Sequence, residues 1–122
     1  QGFRNVIVYR LAHAYILGAE AHWRNGNEAR ALELLNALRT RAYGNSSGNF
    51  SSVDLQTIVD EHARELGHEG HRWAFLKRLG LLVERVQAYN PVGGPNIKDY
   101  HVRWPIPQNF VDQTGINQNE GY

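Results

Sequence analysis

The sequence predicts an all-α fold, and three observations carry that prediction. Apolar residues recur at spacings of three and four through separate stretches of the first ninety positions. Those stretches are separated by short runs of glycine, asparagine and serine. All four prolines (Pro91, Pro95, Pro105 and Pro107) fall after residue 90. Proline removes a backbone donor and clashes with the preceding turn. Residues 1–90 are therefore expected to be helical, and 91–122 to form a long, ordered, loop-rich tail packed on the helices. A chain of 122 residues suits a single domain, 1–122, able to bury roughly 65% of its unfolded surface.

The first helix is expected from the face Val8, Leu11, Ala12, Tyr15, Ala19 and Trp23. Ile7, Ala14, Leu17 and Ala21 form a second apolar face, so the helix should pack on two sides. Gly26 should end it and Asn27 should cap the next. That helix carries Ala31, Leu34, Leu35, Leu38 and Ala42 and stops at Gly44. The hairpin fits the tetratricopeptide pattern: Tyr15 stands at its large aromatic position, Ala19 at its small one and Gly26 in its turn. One such hairpin cannot bury its own face and needs further helices. After the loop 44–49, Ser51 and Asp54 read as a capping box for a third helix. Its stripe is Leu55, Ile58, Val59, His62 and Leu66, with Asp60 and Arg64 as an i,i+4 pair. Gly67 and Gly70 break it. A fourth segment follows from His71 to Leu79, and Gly80 kinks it before Leu82, Val83 and Val86 resume the pattern.

Thirteen basic and twelve acidic residues leave a net charge of +1. So even a balance offers no concentrated basic footprint for nucleic acid. With no cysteine, thiolate metal sites and cysteine nucleophiles are excluded. His68-Glu69-Gly70-His71 is not a metalloprotease helix, because that motif needs two histidines four apart on one face. No metal and no cofactor is expected. His62 reads as part of a packing stripe. Glu61, Glu65 and Glu69 stack along one helical stripe near Arg64 and Arg72, which reads as a solvated or ion-paired face rather than a catalytic pair. Arg72, Lys77, Arg78 and Arg85 read as a solvated basic side. No catalytic residue is assigned.

Trp23 and Trp73 lie on apolar stripes and are expected in the core. Trp104 precedes Pro105-Ile106-Pro107, an extended strap. The tail is expected to be tied down by Trp104, Ile106, Phe110, Val111 and Ile116, with Trp104→Ala costing about 3–5 kcal/mol. Were Trp104 exposed, it would be the chain's best sugar-stacking residue.

Three further segments follow one another in order. The first runs from Arg10-Leu11-Ala12 through Ala19-Glu20-Ala21 and Gly26-Asn27 to Leu35-Asn36-Ala37-Leu38-Arg39-Thr40-Arg41-Ala42. The second runs from Ile58-Val59-Asp60-Glu61 through Glu65-Leu66 and Glu69-Gly70-His71-Arg72-Trp73 to Leu76-Lys77-Arg78-Leu79-Gly80. The third is Trp104-Pro105-Ile106-Pro107 with the closing Gln118-Asn119-Glu120-Gly121-Tyr122. In this order they resemble the C-terminal region of SusD/RagB proteins. The resemblance implies a helical, tetratricopeptide-like, non-enzymatic protein that binds oligosaccharides or other nutrients at the cell surface. It implies attachment to the outer membrane through an N-terminal lipid anchor, and a SusC-like TonB-dependent transporter as partner. It also implies that these residues are the C-terminal piece of a longer chain. Ala74-Phe75 replaces the aromatic–Asp pair common after the tryptophan, and His62 and His68 stand where arginine and an aromatic are usual, departures that fall on the family's usual charge network around Arg72. The resemblance assigns no ligand-binding residue here. The alternative reading from the hairpin is a tetratricopeptide-like protein-interaction scaffold.

Overall fold

A computed structural model describes residues 7–122. It holds six α-helices: α1 (Leu11–Arg24), α2 (Glu28–Tyr43), α3 (Leu55–Leu66), α4 (Arg72–Arg78), α5 (Leu82–Tyr89) and α6 (Gln108–Thr114). Two 3-10 turns stand at Ser46–Gly48 and Asp99–Val102, and no strand occurs among the described residues. The chain forms two compact units, 1–72 and 73–122.

In the first unit α1 and α2 form the predicted hairpin. Asn27 caps α2 by accepting the Arg30 amide at 3.1 Å, and Gly44 closes it in the left-handed conformation. Helix α1 differs from expectation in start and phase. It begins at Leu11, and its buried line is Ala12, Ile16, Ala19 and Glu20. Val8 and Leu11 are exposed, as are Ile7, Ala14, Leu17 and Ala21 of the expected second packing face. Adjacent apolar lines on a helix differ by about 100°, and periodicity alone cannot choose between them. The hairpin chooses: a side chain at Gly18 would stand 3.2 Å from Cδ1 of Leu34, so α2 crosses on the small-residue side. Ala31, Leu35 and Leu38 of α2 are buried in return.

Helix α3 presents Ile58, Val59, His62 and Leu66 inward, all essentially inaccessible. Its cap is Asp54, which accepts from the Thr57 amide and hydroxyl at 2.7 Å each; Ser51 lies outside the helix. Asp60 accepts from Gln56, and Arg64 meets Glu61 at 2.6 Å rather than serving as the expected partner of Asp60. The 44–54 loop is held by Asn36, whose amide both donates to and accepts from the backbone of Phe50 at 3.0 and 2.8 Å.

In the second unit α4 and α5 are separate helices divided at Gly80, whose φ of +73° no side chain adopts without strain. Phe75, Leu76 and Leu82 are buried. The tail is ordered as expected but by other means. Trp104 is 70% exposed, and Phe110 and Ile116 are also open to solvent. The anchors are polar. Gln118 accepts the Ile106 amide and donates to the Ile106 carbonyl, both at 2.7 Å. Asn119 donates to the Trp104 carbonyl and the Tyr122 hydroxyl to that of Arg103, again at 2.7 Å. An extended backbone has unpaired groups on both sides, so amide side chains can pair with its N–H and C=O groups together. Helix α6 also forms within this tail, opening directly after Pro107.

Candidate functional site

Three groups of side chains suggested by the sequence can be located. In the first unit, His13 of α1, His62 of α3 and His71 stand together. The ring centres of His13 lie 5.9 Å from His62 and 4.6 Å from His71, and Tyr9 stacks on His71 at 4.8 Å. Burial holds His62 down to about 4, helped by the charges of Arg72, His13 and His71; burial, then His71, also lowers His13. His71 shares a hydrogen of Nε2 with the Val8 carbonyl at 2.8 Å. His68 belongs elsewhere, because His68 (φ +66°) and Gly70 (φ +82°) turn the backbone between it and His71. No group of three metal-ligating side chains suited to an ion occurs among the described residues.

The second group is the row of carboxylates. The carboxylate side chains of Glu61 and Glu65 are largely covered, not solvated, and each is met by two arginines. Glu61 takes Arg39 at 3.3 Å and Arg64 at 2.6 Å; Glu65 takes Arg10 at 2.6 Å and Arg41 at 2.7 Å. Arg10 also holds Glu69 through a two-pronged bond of 2.7 and 2.9 Å, which keeps the Glu69 carboxyl below its usual range. Sequence reading found Arg64 but missed Arg10, Arg39 and Arg41. Arg39 and Arg41 are two apart on α2, so period-based reading sets them on different faces. Arg72, expected beside these acids, donates to the Val59 carbonyl at 2.7 Å. Carboxylates committed to arginines fix helices; they do not shuttle protons. Of the expected solvated basic side, Lys77 and Arg78 are exposed, whereas Arg85 is buried with its guanidinium 4.5 Å from the Tyr89 ring centre.

The third group lies in the second unit. Trp73, half-buried rather than in the core, and Trp104 stand 5.3 Å apart, tilted by 43°. They line a concavity of about 290 Å³ with Val86, Ile97, His101, Arg103 and Tyr122 among its walls. Trp23, of the first unit, is also half-buried. An open cleft with paired indoles and scattered hydrogen-bonding groups suits binding of a flat amphipathic ring.

Residues 2–122 match the model of the SusD family. The chain belongs to the SusD family. Among its SusD relatives, the starch-binding protein SusD of Bacteroides thetaiotaomicron is 33% identical over 97% of this chain. A SusD-like protein of Formosa agariphila is 35% identical over 84% of it. A solved structure of a laminarin-binding SusD-like protein superposes with a TM-score of 0.77 at 35% identity, covering 98% of this chain. The chain spans only 22%, 21% and 23% of those proteins respectively. The all-α fold and the SusD resemblance read from the sequence both hold. SusD proteins are binding proteins of the cell surface, and these relatives give no support to the scaffold alternative.

Proposed function

We propose that this protein is a non-catalytic, glycan-binding component of an outer-membrane nutrient-uptake system. In this reading it works at the cell surface, attached through a lipid anchor, beside a SusC-like TonB-dependent transporter that takes up the oligosaccharide it captures. The observation that carries the reading is likeness along the chain, at 33–35% identity, to one protein that binds starch and another that binds laminarin. The committed carboxylates of the first unit and the indole pair of the second, with Trp104 exposed beside half-buried Trp73, agree with capture rather than hydrolysis. Affinity electrophoresis through gels containing starch, laminarin or other polysaccharides tests the cargo. Retardation in at least one is expected, and unaltered migration in all would defeat the reading. Pull-down from solubilised outer membranes tests the partner, with a TonB-dependent transporter expected in the eluate.

A further inference from the structure

Trp104 is a large apolar ring left 70% exposed on a backbone that is held still. Its own carbonyl is bonded by Asn119 and that of its neighbour Arg103 by Tyr122, while Pro105 restricts the backbone of Trp104 itself, the residue before it. These bonds hold the backbone on either side of Trp104, and apart from its contact with Trp73 the ring is left open to solvent among the described residues. Beside it, Trp73 completes an indole pair. Neither indole N–H is hydrogen-bonded among the described residues, and the Arg103 guanidinium has no carboxylate partner there. The Lys98 amide donates to Nδ1 of His101 at 2.8 Å, which places the neutral ring's proton on Nε2 and leaves it a donor. Asn96, also at the cleft, spends its Nδ2 on the Val92 carbonyl and keeps Oδ1 as an acceptor.

We propose that this cleft is a glycan subsite in which one pyranose ring stacks on Trp104 and its edge hydroxyls are read by Arg103, His101 and Asn96. The assignment deepens the glycan-binding reading above and rests on it. A sugar ring has C–H groups on its flat faces and hydroxyls around its rim. An indole face with hydrogen-bonding groups beside it is the complement of that shape, whereas a wholly apolar ligand would leave those polar groups unmatched. The cleft's volume is that of a small site, enough for a single ring. A second concavity of about 600 Å³ shares Ile97 and Arg103 with it and continues past Lys98, Asp99 and Glu120, giving a connected oligosaccharide a path. Along that path Arg103 and Lys98 are matched by Asp99 and Glu120. A neutral sugar fits this balance better than a uronate.

The test is titration of the 122-residue chain with maltohexaose and with laminarihexaose, followed through the three indole N–H signals in nitrogen–proton spectra. Binding is expected in the millimolar range, with the Trp73 and Trp104 signals shifting while Trp23 stays as an internal control. Trp104→Ala should weaken it at least fivefold and Trp104→Phe should keep part of it, circular dichroism showing that both variants fold. If sugar binds but the Trp104 signal does not move, or Trp104→Ala binds as well as the parent, the subsite is wrong and the glycan reading stands. If neither sugar nor any polysaccharide in the gel assay is bound, both fall together.

Discussion

His62 sits without solvent access among α1, α3 and the start of α4, and contributes to stability as a neutral ring. The unfolded chain takes up this proton near 6.5, the folded chain only near 4. The unfolded state therefore binds more protons between those values, so stability is full above about pH 6.5 and falls as pH drops towards 4. With about 1.4 kcal/mol for each unit of difference, unfolding in urea at pH 5 should reveal a loss of about 2 kcal/mol relative to pH 7.5. His13 adds to the loss with the same sign. His62→Leu should remove most of that slope, and an unchanged profile would show that His62 is not the group responsible. Trp104 gives the opposite kind of forecast. An exposed ring returns little burial energy, so Trp104→Ala should move stability by less than about 1 kcal/mol, against the 3–5 expected for a buried strap. The denaturant midpoint decides between these values.

Between elements, ion pairs whose carboxylates are buried and most of whose arginines reach towards solvent are the joints of the first unit. Glu61 joins α3 to α2 through Arg39, while Glu65 joins it to the start of α1 through Arg10 and to α2 through Arg41. Glu61→Ala leaves Arg39 largely out of water but still bonded to the Gly48 carbonyl, while Arg64 is half exposed, so it should destabilise by about 1–3 kcal/mol, measurable by thermal or urea denaturation. The tail's joints are amides. Gln118→Ala removes both bonds to Ile106, and the Ile106 amide should then exchange its hydrogen at least tenfold faster, with only about 1–3 kcal/mol lost overall. Exchange at an unaltered rate would mean that the staple is not what orders the strap. Gly121 shows why the closing segment admits no side chain there: a Cβ would lie 2.3 Å from Cγ of Tyr100, at a φ of +95°. The hairpin and α3 were legible because caps and apolar spacing act within about four residues. The polar joints were not legible, since their partners stand 12 to 59 positions apart.

For the molecule as a whole, the proposed role excludes turnover. Prolonged incubation with starch or laminarin should release no new reducing ends beyond a protein-free control; steady release that scales with protein concentration would contradict a purely binding role. What the sequence by itself determined is the all-α class, the α1–α2 hairpin, the caps at Asn27 and Gly44, the inward stripe of α3 and membership of the SusD family. Each depends on local spacing or on motifs read in order, which survive without knowledge of the fold. Tertiary structure alone decided that the buried line of α1 runs through Ala12, Ile16, Ala19 and Glu20 rather than along either of the two faces expected to pack, because that depends on where α2 crosses. It decided that the carboxylate side chains of Glu61 and Glu65 are largely covered between arginines from other helices. It also decided that Trp104 is left largely in solvent with Trp73 beside it, because Gln118, Asn119 and Tyr122 pair with the backbone on either side of it, groups 12 to 19 positions away that no local pattern reveals.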